Sequence, residues 1–116
     1  MVKFTASIIE AEDKLPVASP AVCYTGRELS DGRVCGKCIF HNNGYEMDID
    51  SVEAEDDEIA EGLIRSALNY CANRGTYIAH YLAPGFGRVA EMLGFADDDG
   101  TPSGEIPELL RGSCCK

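Results

Sequence analysis

The chain has 116 residues, with 20 acidic side chains against 10 basic ones, a formal net charge of -10 and 45% hydrophobic residues. That length fits one domain, and the hydrophobic share is globular rather than disordered. The acidic balance excludes the basic footprint that nucleic acid or an anionic membrane surface requires. No apolar run is long enough for a membrane-spanning helix.

The N-terminus carries no apolar leader, so no secretory signal is expected and the location implied is cytoplasmic. The six cysteines are then reduced thiols rather than a disulfide framework.

Residues 2–9 are β-prone and run into a charged turn at 10–14. A Pro-bracketed stretch, 16–20, leads to a short strand at 22–25. Asp31-Gly32 signals a tight turn, followed by a strand at 34–40. Asn43-Gly44 predicts a type I′ turn joining that strand to another at 45–52. Met47 and Ile49 alternate with Asp48 and Asp50, which gives the returning strand one buried face.

The period then changes. Ile59, Leu63, Ala67 and Cys71, flanked by Ala60, Ile64 and Leu68, predict an amphipathic helix. Asp56, Asp57 and Glu58 stand at its start, where carboxylates favour the dipole, and Gly75 closes it. A strand is expected at 76–82, a shorter helix at 86–93 with Gly94 as its stop, and a polar tail from Ala96 with one more helical turn at 106–110. The whole is a single α/β (α+β) domain over 1–116, core 22–95 and tail 96–116. It has a mixed, mostly antiparallel sheet, a long crossover helix and a short second helix.

From 22 to 95, this order and several motifs resemble the GNAT acetyltransferase superfamily. The motifs are the Asn43-Gly44 hairpin, the strand ending at Val52 before Ile59-Ala60-Glu61-Gly62-Leu63-Ile64, then Asn73-Arg74-Gly75, and finally Ala90-Glu91-Met92-Leu93-Gly94-Phe95. The resemblance implies a truncated GNAT-like fold that moves an acyl group from acetyl-CoA or another acyl-CoA to an amine. Val52, Glu53, Ala54, Ile59 and Ala60 are the implied cofactor-binding positions.

The family cradles the cofactor pyrophosphate with an Arg/Gln-x-x-Gly-x-Gly/Ala loop, which works because free backbone donors and a positive dipole end meet the anion. Here Glu55-Asp56-Asp57-Glu58 occupy that place, and carboxylates there oppose an anion. The family's thiolate-protonating Tyr corresponds to Ala90, which has no proton to give. The two helices that follow the first strand in the family have only residues 10–21 to be built from.

Candidate catalytic residues are therefore Asp50, on the strand where the family keeps a general-base carboxylate together with Asp48 and Glu53, and His80 and Tyr81 on the next strand. Each also has a plainer role: a solvent-facing edge for the carboxylates, a hydrogen-bonded histidine for His80. Cys35 and Cys38 have metal-knuckle spacing, and Cys114 and Cys115 could add two thiolates. Residues three apart on a strand point to opposite faces, so core or incidental thiols are the expectation. The segment 97–101 with Glu108 resembles a calcium loop, but Pro102 stands where the turn needs Gly, and an acidic loop is expected.

Three functions stay open on sequence: the acyltransferase acting on a small-molecule amine; a non-catalytic GNAT-fold module that binds a ligand or a protein partner; and a cysteine-based metal or redox protein. A homodimer is expected under the second, to cover apolar surface that the absent helices leave bare.

Overall fold

The computed structural model describes residues 2–9, 21–98 and 100–112. The charged turn, the Pro-bracketed stretch, Cys114 and Cys115 lie outside them. Four strands come first: β1 (Val2–Ile9), β2 (Ala21–Glu28), β3 (Val34–Asn42) and β4 (Glu46–Ala54). They are followed by α1 (Asp57–Ala72), β5 (Ile78–Tyr81), α2 (Gly87–Leu93), β6 (Ala96–Asp98), β7 (Thr101–Glu105) and α3 (Ile106–Gly112). The strands form one seven-stranded sheet in the order β1-β2-β3-β4-β5-β7-β6. Only β4 and β5 pair in parallel; the other described neighbours are antiparallel. The mixed, mostly antiparallel α+β architecture is thus as expected.

Helix α1 lies against β1 to β4 and touches both α2 and α3, so the helices form one layer on one face. Its apolar stripe, Ala60, Leu63, Ile64, Ala67, Leu68 and Cys71, is buried against Cys38, Phe40, Met47, Ile49 and Val52 of the sheet. Two glycines allow the close approach. A Cβ on Gly62 would meet the Phe4 ring at 2.5 Å, and one on Gly36 would meet the Glu53 carbonyl at 2.8 Å. Phe40 sits at the centre, wholly buried, with Tyr24 stacked on it at 6.1 Å and Tyr70 of α1 edge-on at 5.5 Å.

Three features differ from the sequence expectations. The Asn43-Gly44 turn is not type I′, which needs positive φ at both residues. Gly44 alone is left-handed, at φ 94°, because Asn42 accepts the Gly44 N–H on its side-chain oxygen at 2.8 Å and tightens the loop before it. Strand β5 is shorter than 76–82, since Thr76 leaves the ladder to donate its hydroxyl to the Gly44 carbonyl at 2.7 Å.

The tail is more regular than expected. It adds the β6–β7 hairpin, with Gly100 left-handed at its turn, and the helix α3, whose Leu109 fills the space over Gly104. The described face without helices is mostly polar: by the pleat it carries Cys23, Thr25, Lys37, Ile39, His41, Asp48 and His80 on β2 to β5.

Burial holds several acidic groups neutral. It pushes the Cys71 thiol up to about 12 and the Tyr81 hydroxyl, which also lies near Cys38, up to about 12; it raises Cys38 as well. A raised pKa in the folded state stabilises fully below the unfolded pKa, and that contribution is lost as pH climbs through the folded one. Unfolding should therefore become easier from about pH 9 to about pH 12, by about 1.4 kcal/mol per pH unit for each such group. Thermal melts followed by circular dichroism across that range should show a falling midpoint, and Cys71→Ala or Tyr81→Phe should flatten the fall.

Candidate functional site

The site is built on β4, β5 and β7, on the polar face. Pairing of β4 with β5 runs from Glu46–Ile78 to Ile49–Tyr81 and ends with the Leu82 N–H donating to the Ile49 carbonyl at 2.9 Å. Beyond it β5 turns away, and 50–54 of β4 continue without a described strand on that side. A bulge sits at the same point. Ile39 pairs with Ser51 and Phe40 with Ile49, which leaves Asp50 as the extra residue. A bulge inverts the alternation of the strand that carries it. That is why Ile49 and Val52, three apart, are both buried while Asp50 and Ser51 are turned outward.

Two histidine–carboxylate pairs flank this junction. His41 Nδ1 is bonded to the Asp50 carboxylate. His80 Nε2 lies 2.5 Å from Glu46 Oε1. An ionised carboxylate only accepts, so each pair fixes its imidazole with the N–H toward the acid and the other ring nitrogen open. Asp48 lies between the pairs, directly opposite His41 on β3 and His80 on β5, and accepts from the Asn43 amide at 3.2 Å. His80 in turn faces Ser103 on β7. Glu46, Asp48, His80 and Ser103 line an open cavity of about 570 Å3, whose further walls are Asn43, Tyr45, Leu82 and Thr101.

Of the candidate catalytic residues, Asp50 and His80 both lie on this face, on either side of Asp48. Tyr81 does not: it is buried, its hydroxyl donates to the Gly85 carbonyl at 2.9 Å, and its ring packs on Phe95 at 5.6 Å. It is a core residue, because the alternation that turns His80 outward turns Tyr81 inward.

The implied cofactor positions fall in two places. Val52 is in the core, Ala54 is half-buried and Glu53 exposed, so what β4 offers along 52–54 is backbone. At the helix start the Ile59 N–H donates to the Asp56 carboxylate at 2.9 Å, and the Ala60 N–H to the Asp56 carbonyl at 3.1 Å. Asp56 is thus the N-cap, and Asp57 and Glu58 fill the first turn. A donor that an anion would need is already taken by a carboxylate.

Cys35 donates weakly to the Gly26 carbonyl at 3.4 Å, and the thiols that influence Cys38 are Cys23 and Cys71 rather than Cys35. Among the described residues no group of three or more Cys, His, Asp or Glu is placed to hold a metal ion. Of the segment likened to a calcium loop, Asp97 and Asp98 lie on β6 and Thr101 on β7.

Sequence alone missed Glu46, which looks like an ordinary exposed strand end. It also missed the His41–Asp50 pair. The hairpin brings those two strands together, but the bulge sets which carboxylate meets the ring.

No family model and no curated protein matches the chain. Among solved structures it is similar to a crystal structure of TofI in a ternary complex with an inhibitor and MTA, with TM-score 0.62 and 13% identity over 93% of this chain and 79% of that one. That likeness defines the class as a mixed α+β fold. No described helix is long and apolar enough to cross a membrane.

Proposed function

We propose that this chain is a GNAT-like domain that transfers an acyl group from a thioester, acetyl-CoA or another acyl-CoA, to a small amine. The observation that carries the proposal is His80, held by Glu46 at 2.5 Å in a cavity beside the point where β4 and β5 part. Glu46, Asp48 and Asp50 draw in the ammonium form of the acceptor. The free ring nitrogen of His80 takes a proton from it. The amine nitrogen then attacks the thioester carbonyl: a C–N bond forms, the C–S bond breaks, and the second proton lost by the nitrogen passes through water to the leaving thiolate. The donor lies along the unpaired backbone of 52–54. The fold-mate TofI, whose structure holds MTA and an inhibitor, supports a small-molecule role for this architecture.

A second function is favoured by one observation. The Asp56 cap and the first-turn acids Asp57 and Glu58 oppose a pyrophosphate at α1. Under it, the domain binds the amine, or a protein carrying one, without an acyl donor.

A thermal-shift titration with acetyl-CoA and with amines, paired with mass detection of acylated amine, separates the two. A saturable rise with acetyl-CoA together with product supports transfer. A rise with amine alone supports binding. No response to acetyl-CoA up to millimolar concentration ends the transferase proposal. Asp56→Asn tests the helix start: Asn still caps, so stability should change by only a few tenths of a kcal/mol. Removing the charge should tighten acetyl-CoA binding. Asp56→Ala, which loses the cap, should cost about 1 kcal/mol in denaturant unfolding.

A further inference from the structure

We propose that the amine taken by this site is one carried on an aromatic ring, and that Tyr45 selects it; this rests on the amine-binding function above. Tyr45 stands in the wall of the cavity beside Glu46, Asp48, His80 and Leu82. It is 62% exposed, and Leu82 is 49% exposed, so neither side chain is spent on the core. The Tyr45 ring is nevertheless held. One face lies on the ring of Tyr77, with centroids 5.6 Å apart and planes 27° from parallel.

Tyr77 is fixed from two sides. Its hydroxyl donates to Glu105 at 3.1 Å, and its backbone N–H donates to the Tyr45 carbonyl at 2.9 Å. The second face of Tyr45 is left as a pre-positioned flat shelf at the cavity edge. An aromatic ring laid there extends an existing stack, and a short chain from that ring brings its ammonium toward Glu46 and Asp48. A linear polyamine would satisfy the carboxylates and leave Tyr45 and Leu82 in water. A ligand bearing a carboxylate would meet two acids at the cavity wall.

The test is calorimetric binding of 2-phenylethylamine, ethylamine and 3-phenylpropionate to the whole chain and to Tyr45→Ala and Tyr45→Phe. 2-Phenylethylamine should bind about tenfold more tightly than ethylamine, the scale of one stacked and partly buried ring. 3-Phenylpropionate should not bind. Tyr45→Ala should bring 2-phenylethylamine down to the level at which the same variant binds ethylamine, and Tyr45→Phe should restore the preference. An exposed Tyr leaves folding intact, which an unchanged melting temperature will verify. Equal binding of the two amines overturns the aromatic inference and leaves the amine function standing. Binding of 3-phenylpropionate as tight as that of 2-phenylethylamine, or binding of neither amine, overturns both.

Discussion

His80→Gln is expected to lower the rate of acyl transfer to an amine by about 10²–10⁴-fold, the usual contribution of a positioned base. Gln can still donate to Glu46 but has no ring nitrogen to take a proton. The structural cost should be small. The His80–Glu46 pair is partly exposed, with side chains 26% and 55% accessible, and exposed pairs contribute about 0–1 kcal/mol. Rate and melting temperature should therefore separate: product formation measured by mass spectrometry collapses while the thermal midpoint stays within a few degrees. His41→Gln is the matched control. It breaks the equivalent pair with Asp50 on the same face but outside the cavity wall, and should lower the rate less. A His80→Gln protein that transfers acyl groups as fast as the parent would remove His80 from the chemistry.

Phe40→Ala is expected to cost about 3–5 kcal/mol, as large-to-small changes of buried aromatics do. The ring is fully buried between Tyr24 and Tyr70, and β3 carries it to the centre of the α1 interface. Its loss removes packing from both neighbours and leaves a cavity that stiff strands cannot close. Domains of this size are stable by about 5–15 kcal/mol, so the change consumes a large part of the total. Urea unfolding should show a midpoint displaced to low denaturant with an unchanged slope. Phe40→Leu, which keeps most of the volume, should lose less.

Period and turn chemistry are local, and what depended on them was legible in the residues. The four-residue recurrence from Ile59 to Cys71 marks a helix with one buried stripe, and that stripe is the one in the core. Asn43-Gly44 marks the β3–β4 hairpin, although Asn42 changes the turn type by bonding to Gly44. The hairpin of β6 and β7 was not legible. Pro102 and Gly104 weaken a strand signal, and the hairpin exists because β7 pairs with β5 and Leu109 packs over Gly104. Its register is a long-range contact, with nothing local to announce it.

The site divides the same way. Asp50 was a candidate through the resemblance, which implies a general-base carboxylate on that strand, and His80 as an imidazole on the strand that would border the acyl site. Tyr81, a candidate as a nearby substitute for the tyrosine that Ala90 replaces, belongs to the core, since one step along β5 reverses the face. Glu46 gave no sign of its role, because a parallel pairing across α1 brings it to His80 from 34 residues away.

By itself, then, the sequence determined the acidic character, the mixed α+β class, the long helix with its acid-capped start, and the alternation that sets Asp48 on the face opposite Met47 and Ile49. These follow from residue type and spacing within one element. Only the tertiary structure decided that Asp50 is a bulge residue bonded to His41, that Glu46 holds His80, and that Tyr45 and Leu82 wall the same cavity. Each of those depends on strand register, which is set by the sum of core packing and backbone pairing over the whole sheet rather than by any neighbouring residue.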